Sequence, residues 1–292
     1  MRPLLKTLLL LLGIPLAAMA KGGTEPGCCY EKADSITVER LLKAARGKAI
    51  GHPTLYFARQ FLDVPYVAKT LELFPDEERL IVNTRQLDCT TLVETALALA
   101  LCHGKGQTDF ADYCRQLRLL RYRSGRIDGY TSRLHYFTDW ILDNTAMGLV
   151  REVAAEGDPF DGLQKVETSF MSRHADSYPA LKAHPELVEA IARQERNLTG
   201  RTFRFVTKQR MASAKSQRKT IADGDVIAIV TNKKGLDIAH LGFAEWKSDG
   251  LHLLNASQIH HKVVSEPMLL SQYLKQHPTH LGIRIVRLLP DK

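Results

Sequence analysis

Residues 87–102 read LDCTTLVETALALALC, and this stretch decides the fold. From Leu92 onward, apart from Glu94 and Thr95, every side of a helical wheel is apolar, and neither glycine nor proline interrupts it. This pattern is typical of a buried helix rather than a surface helix. Asp88 is a suitable N-cap, so we expect Cys89 in the first helical turn.

Cys89 at a helix start is a candidate nucleophile. Free backbone N–H groups and the positive end of the helix dipole stabilise an anion there, so we expect the thiol pKa to fall. A thiolate at a helix start, with a histidine supplied from elsewhere, is the papain-type arrangement for attacking a carbonyl carbon. The alternative is a small core cysteine beside a helix cap.

The candidate base is His240, one of eleven histidines in the chain. It lies in a predicted strand over 238–246, and a turn over 247–250 leads into a returning strand over 251–257. The alternative is a strand histidine whose ring is satisfied by the backbone.

The register of this hairpin supplies a third residue. If the four turn residues form the loop, Trp246 pairs with Leu251 and His240 faces Ser257. Asn255 is then the diagonal neighbour of His240 on the same face. Its side chain would accept a hydrogen bond from one imidazole nitrogen, which gives a Cys-His-Asn triad. A one-residue slip would move Asn255 to the other face.

These motifs together resemble a known family. Asp-Cys-Thr-Thr at 88–91, Ala-His-Leu-Gly at 239–242 and Leu-Leu-Asn-Ala-Ser at 253–257 are similar to the NlpC-type papain-like cell-wall cysteine hydrolases. The sequence most resembles a branch once known only as a domain of unknown function, whose members look like N-acetylmuramoyl-L-alanine amidases. Asn255 stands where the superfamily often has a second histidine. Three further segments also resemble that branch: 66–72, 128–137 and 170–174. With them, the resemblance extends from about residue 46 to 286.

The resemblance implies a cysteine amidase that hydrolyses the N-acetylmuramoyl-L-alanine bond of peptidoglycan or soluble muropeptides through a thioester. Cys89 would be the nucleophile, His240 the base and Asn255 the orienting residue, with no metal or other cofactor. Two alternatives remain open. One is a γ-D-glutamyl endopeptidase that cuts inside the stem peptide, and the other is a non-catalytic cell-wall binding module.

Candidate substrate-binding residues lie in the same motifs. The hydroxyl of Tyr66, in a segment that resembles one placing a tyrosine beside the nucleophile, would help bind the oxyanion. The alternative for Tyr66 is a packed loop aromatic. The remaining candidates flank the nucleophile or precede a helix: Asp88, Arg133, His135 and Tyr136.

Arg133 has two interpretations. Its guanidinium would clamp a muropeptide carboxylate through two hydrogen bonds, or it is buried and pairs with Asp128 or Asp139. Tyr136 or Trp140 would stack on a sugar face. The arginines at 115, 118, 121, 123 and 126 are expected to form a solvated face.

The first twenty residues predict a secretory signal. Arg2 and Lys6 precede an apolar run at 8–16, and Ala-Met-Ala at 18–20 matches a cleavage site. The apolar run is shorter than the roughly 20 residues that span a bilayer. Removing two basic residues takes the formal charge from +8 to +6. We therefore expect an exported, periplasmic protein without a transmembrane segment or lipid anchor. It would be a monomer that binds anionic wall material and not nucleic acid.

Five cysteines are an odd number for an oxidising compartment, and a nucleophilic Cys89 would explain the unpaired one. Bridges among Cys28, Cys29, Cys102 and Cys114 are conceivable, but the sequence predicts no pairing. No zinc-ligand spacing is present.

The order of predicted elements indicates an α+β protein. Residues 21–36 are expected to be a flexible N-terminal segment, and 37–292 a single amidase domain with a helical part at 37–200 and a sheet part at 201–292. Helices followed by an antiparallel sheet fit a papain-like, NlpC-type fold. The nucleophile helix would pack on the C-terminal sheet, preceded by helical additions.

Overall fold

A computed structural model of the chain describes residues 27–155, 159–212 and 214–290. The predicted signal peptide lies outside the described residues. Within them, no helix has both the length and the apolar character needed to cross a membrane. The helices are α1 Lys32–Ala45, α2 Pro53–Arg59, α3 Cys89–Gly104, α4 Phe110–Arg121, α5 Phe137–Ala146, α6 Phe170–Arg173, α7 Pro179–Ala183, α8 Leu187–Leu198 and α9 Leu270–Gln276.

The strands form one large antiparallel sheet and one short parallel pair. The large sheet has the order β4-β5-β10-β6-β7-β8-β9, with β3 also paired to β10, and β1 pairs with β2. The strands are β1 Cys28–Cys29, β2 Leu80–Ile81, β3 Val150–Val153, β4 Gly162–Lys165, β5 Thr202–Thr207, β6 Val226–Thr231, β7 Ile238–Trp246, β8 Leu251–Ser257, β9 Lys262–Ser265 and β10 His280–Leu288.

The predicted hairpin is confirmed. Trp246 pairs with Leu251, and the register continues to Phe243 opposite Leu254. The apolar run of β6 is buried along its whole length and lies in the middle of the sheet. A strand with neighbours on both sides and packing on both faces has no position for an exposed side chain.

Several elements differ from the sequence prediction. Helix α1 begins at Lys32, inside the segment expected to be flexible, because Asp34 is buried and ties the helix start to Thr84. Strands β3 and β4 fall inside the part expected to be helical, and α9 falls inside the part expected to form a sheet. These strands are only four residues long, too short for a clear alternating pattern.

Helix α3 is the central helix, as predicted from its composition. Every residue from Thr91 to Cys102 is buried, and the helix packs against α2 and α4 and across β7 and β8. Glu94 is buried with it and accepts a 2.6 Å hydrogen bond from Nε of Arg121. Arg121 also donates to the Ile81 carbonyl, so the solvated-face prediction is wrong for this arginine.

The remaining cysteines lie away from Cys89. Cys102 is buried in α3, and the Sγ atoms of Cys28 and Cys114 are 3.6 Å apart. The contact joins the N-terminal strand β1 to helix α4. Cys89 is therefore not part of the contact between Cys28 and Cys114.

Candidate active site

Asp88 sets the position of Cys89. Its carboxylate accepts a 2.8 Å hydrogen bond from the Thr91 N–H, and the Thr91 hydroxyl accepts one from the Asp88 N–H. This reciprocal pair is a capping box, and Cys89 is the first residue of α3. The predicted N-cap is therefore confirmed.

Two neighbouring backbones surround the helix start. The segment around Tyr66 runs beside the residues that lead into α3, since Leu87 donates to the Pro65 carbonyl and Val67 donates to the Leu87 carbonyl. The same segment is also hydrogen-bonded to the edge of the large sheet, because the Tyr66 N–H donates to the His261 carbonyl. Tyr66 is thereby held next to Cys89.

A β-bulge lies next to His240. Strand β6 pairs Ile229 with His240 but Val230 with Ile238, so Ala239 is an extra residue on β7. Bulges of this kind re-aim side chains at sheet edges and near active sites. His240 is half-buried at this point of the strand.

His240 and Asn255 are in direct contact, as the hairpin register predicted. The distance between His240 Nε2 and Asn255 Oδ1 is 2.9 Å. Asn255 is fully buried, so its amide is held away from water. An amide oxygen only accepts, so the ring nitrogen facing it carries the proton and Nδ1 is left with a lone pair.

Cys89 and His240 line one pocket of about 210 Å³. The backbone N–H of Leu241, the residue after His240, acts on the Cys89 sulfur and lowers its pKa, as does Thr90. The start of α3 and the start of β7 therefore meet at the sulfur. The thiol and the imidazole therefore line the same cleft.

The thiol pKa contradicts the expectation from the helix dipole. Burial is the largest influence, and together with the nearby Asp88 carboxylate it raises the pKa of Cys89 to about 12. Burial also lowers the pKa of His240, although the Asn255 hydrogen bond opposes this. Both shifts favour the uncharged thiol and the uncharged imidazole at neutral pH, contrary to the prediction of an ionised sulfur.

The sequence of this chain matches a described family over residues 56–283. The family is AmiA-like, with members described as N-acetylmuramoyl-L-alanine amidase-like. The match covers more than half of the chain. The protein belongs to the AmiA-like family.

Solved structures support this assignment. A crystal structure of an N-acetylmuramoyl-L-alanine amidase from Bacteroides uniformis has 38% identity and a TM-score of 0.76, covering 81% of this chain and 97% of that one. A Bacteroides fragilis protein provisionally called a xylanase has 43% identity and a TM-score of 0.75, covering 80% and 100%. A Legionella pneumophila protein with 22% identity, a TM-score of 0.66, and coverage of 88% and 95% shares the fold. No curated protein matched.

In this AmiA-like protein, Tyr66 has the environment expected of a donor near the nucleophile. It is half-buried, and burial together with the proximity of Cys89 and Asp88 raises its pKa to about 12. Its hydroxyl is therefore protonated at neutral pH. A protonated phenol can donate a hydrogen bond to a developing negative charge.

Arg133 is buried and paired with acidic residues, as its second interpretation predicts. Its Nη2 lies 2.6 Å from Glu72 Oε1, and its Nε lies 3.4 Å from Glu78 Oε1. Asp128 and Asp139 are therefore not its partners. Two carboxylates already occupy the guanidinium, so the site has little capacity to clamp a substrate carboxylate.

His135 and Tyr136 also line the pocket. His135 donates from Nε2 to the Tyr130 carbonyl at 2.9 Å, and burial lowers its pKa to about 3. The Tyr136 hydroxyl donates to Glu195 at 2.6 Å and accepts from the Met171 N–H. Both of these hydrogen bonds are made within the protein.

The stacking prediction is wrong for Trp140. Its side chain is fully buried and stacks on Phe137 with ring centroids 4.8 Å apart. A sugar has no access to that face. Tyr136 lines the pocket, but it too is buried.

Sequence reasoning missed Glu266, which lies directly behind Asn255. Strand β8 pairs Leu254 with Ser265, so Glu266 is the diagonal neighbour of Asn255. The same rule that identified Asn255 from His240 would have found it. Applying that rule requires the register of the strand that follows 251–257, which the hairpin turn does not fix.

Proposed function

We propose that this AmiA-like protein is an exported cysteine amidase with a papain-like, NlpC-type site. Its substrate would be the N-acetylmuramoyl-L-alanine amide of peptidoglycan or of soluble muropeptides. The observation that carries the proposal is the shared cleft of Cys89 and His240, with the imidazole hydrogen-bonded to Asn255 at 2.9 Å. Family membership supports the identity of the bond.

The proposed reaction begins with a neutral pair. As the Cys89 sulfur attacks the lactyl carbonyl carbon, Nδ1 of His240 takes the thiol proton. The negative charge on the carbonyl oxygen is stabilised by the backbone N–H of Cys89 and by the Tyr66 hydroxyl. His240 then gives its proton to the nitrogen of L-alanine, and the C–N bond breaks to leave a thioester.

The second half of the reaction uses the same residues. His240 removes a proton from water, the hydroxide oxygen attacks the thioester carbonyl, and the proton returns to the Cys89 sulfur as the C–S bond breaks. Asn255 holds the imidazole through both steps. Each protein group ends in its starting state.

The xylanase name of one relative does not fit this cleft. Glycosidases place two carboxyl groups on either side of the scissile bond. Among the described residues that line the cleft, Asp237 is the single carboxylate, and it accepts a hydrogen bond from the Thr138 N–H at 2.6 Å. A thiol and an imidazole favour acyl transfer over glycoside hydrolysis.

Mass spectrometry of a defined muropeptide digest tests the proposal. An amidase releases free N-acetylmuramic acid sugar and an intact stem peptide that begins with L-alanine. A sugar that retains L-Ala-D-Glu would instead indicate the γ-D-glutamyl endopeptidase. Cys89→Ala and iodoacetamide-treated protein are the matched controls.

The binding-module alternative is tested with the same material. Cys89→Ala should lose hydrolysis and still bind the muropeptide. A wild-type protein that binds but never cleaves would rule out the amidase, and cleavage of xylan without Cys89 would point to a glycosidase.

A further inference from the structure

Glu266 is a buried carboxylate that no step of the proposed reaction uses. It is 1% exposed, and its Oε1 accepts a 3.1 Å hydrogen bond from Asn255 Nδ2. Its Oε2 lies 3.2 Å from Nε2 of His260. The backbone of Glu266 is also fixed, since its N–H donates to the Leu253 carbonyl at 2.9 Å. The carboxylate therefore has a defined position behind the amide.

The carboxylate decides which way the Asn255 amide points. An amide side chain can turn over and exchange its oxygen and nitrogen, because the two ends have nearly the same shape. An ionised carboxylate only accepts hydrogen bonds, so the amide nitrogen must face Glu266 and the oxygen must face His240. The amide orientation follows from the charge behind it.

The amide in turn decides which imidazole nitrogen carries the proton. With Oδ1 toward the ring, Nε2 of His240 must be the donor, and Nδ1 is free to take a proton. With the amide reversed, Nδ2 would donate to Nε2. The ring proton would then sit on Nδ1, which could no longer act as the base toward Cys89.

We propose that Glu266 is a positioning residue that, through Asn255, holds His240 in the tautomer with its proton on Nε2. This inference rests on the proposed function, since it assigns the tautomer that makes His240 a base. The negative charge of Glu266 also favours the imidazolium that forms when the thiol proton is transferred. One carboxylate thus sets the resting tautomer and stabilises the protonated ring.

The tautomer of His240 is measured directly by NMR. In protein labelled with ¹⁵N-histidine, the two ring nitrogens of a neutral imidazole have well-separated shifts, and couplings to the ring protons assign the protonated one. The His240 signals are identified by their absence in His240→Ala. In wild type we expect the proton on Nε2. A proton on Nδ1 in wild type would overturn the proposal whatever any variant does.

Glu266→Gln tests the role of the charge. The glutamine keeps the shape but can present either an acceptor or a donor to Asn255, so the His240 signals should shift toward a mixture of tautomers. We expect kcat on the muramoyl-L-alanine amide to fall about tenfold to a hundredfold, the range seen when the partner of a metal-bound imidazole is removed. KM should stay within about twofold, because Glu266 does not line the pocket. Unchanged tautomer and kcat would refute the proposal.

Two further variants separate positioning from general damage. Glu266→Asp keeps an acceptor-only group and should restore the wild-type tautomer and part of kcat. His260→Gln removes the other neighbour of the carboxylate and should leave both readouts unchanged. Equal loss in all three variants would mean a structural role and would overturn the proposal.

The NMR readout does not depend on turnover. If wild-type protein fails to cleave the muramoyl amide, the proposed function fails, and the tautomer experiment still decides the role of Glu266. If the amide is cleaved and Glu266→Gln keeps the wild-type tautomer, only the positioning role fails.

Discussion

The resting state of Cys89 can be measured from the rate at which it is alkylated. The environment raises its pKa from 9.0 to about 12. At neutral pH, the thiolate fraction is therefore about a thousandfold lower than for an unperturbed thiol. A more basic thiolate is a better nucleophile, and a Brønsted coefficient of about 0.4–0.5 restores a factor of about 15–30. We expect iodoacetamide to modify Cys89 about 30–60-fold more slowly than free N-acetylcysteine.

The assay follows the peptide that contains Cys89 by mass spectrometry across pH 5.5 to 9.5. Cys102 shares the tryptic peptide 86–105 with Cys89, so fragment ions distinguish the two sites and Cys89→Ala confirms the assignment. Cys28, Cys29 and Cys114 lie on other tryptic peptides and serve as internal references. The logarithm of the rate should rise with a slope of about one over the whole range, because the thiol stays far below its pKa.

A flat rate between pH 5.5 and 8 that exceeds the rate of N-acetylcysteine would refute this reasoning. It would mean that Cys89 and His240 rest as a thiolate–imidazolium pair, as first expected from the helix dipole. The proposed chemistry would survive, but proton transfer would precede attack instead of accompanying it.

Four more predictions use independent assays. Amidase activity should persist below pH 6.5 and be lost as pH falls further, because burial lowers the pKa of His240 and its imidazole must be neutral to accept a proton; a loss beginning above pH 7 in the pH–rate profile would contradict this. Asn255→Ala should lower kcat about tenfold to a hundredfold in steady-state kinetics, since the lost hydrogen bond to a charged ring is worth about 1.5–3 kcal/mol; an unchanged kcat would exclude the orienting role. Glu94→Ala should cost about 3–5 kcal/mol in urea unfolding, because it leaves a buried guanidinium unpaired; a cost below about 1 kcal/mol, the size of a surface pair, would show that the site rehydrates. Oxidised glutathione should couple Cys28 to Cys114, with two protons and two electrons passing from the thiols to the glutathione disulfide. The intact mass should fall by two hydrogens, and the thermal midpoint should rise; a glutathione adduct without a bridge would contradict this.

The sequence predicted the parts of the site that depend on local patterns. Helix α3 was predictable because its apolar residues run uninterrupted behind a capping residue, and the β7–β8 hairpin because its turn fixes the register. Once the register is fixed, pleat geometry puts Asn255 on the same face as His240. These are short-range consequences of side-chain type and spacing. The β-bulge at Ala239, which the sequence did not predict, lies next to the contact between His240 and Asn255.

The parts that were missed depend on distant partners. Arg121 reads as one of a row of basic residues, yet it is buried because Glu94 on another helix supplies the opposite charge. Arg133 pairs with Glu72 and Glu78, which lie some sixty residues earlier. A single sequence does not reveal which acid meets which base, so burial of a charged residue is hard to predict.

The thiol pKa was mispredicted for a related reason. The helix-start effect on Cys89 is local and can be anticipated, but it is worth only about 0.3–1 kcal/mol at exposed positions. Burial by the surrounding protein and the charge of the capping carboxylate act in the opposite direction, and together they are larger. The residue that caps the helix, Asp88, is thus also one that opposes ionisation of the nucleophile.

Because the thiol pKa is raised, the reactivity of the site depends on the protonation state of the His240 imidazole. A thiol that stays protonated at rest can attack only if a base removes its proton during the approach, so Nδ1 of His240 must carry a lone pair before the substrate arrives. His240, Asn255 and Glu266 lie on a diagonal across β7, β8 and the end of β9, and each hydrogen bond along it fixes the polarity of the next. The order begins at the Glu266 carboxylate, which can only accept a hydrogen bond, and ends at the His240 imidazole, whose nitrogens can donate or accept. The Glu266 carboxylate, two hydrogen bonds away, is therefore coupled to the protonation state of the base. Its removal should lower kcat more than it weakens substrate binding.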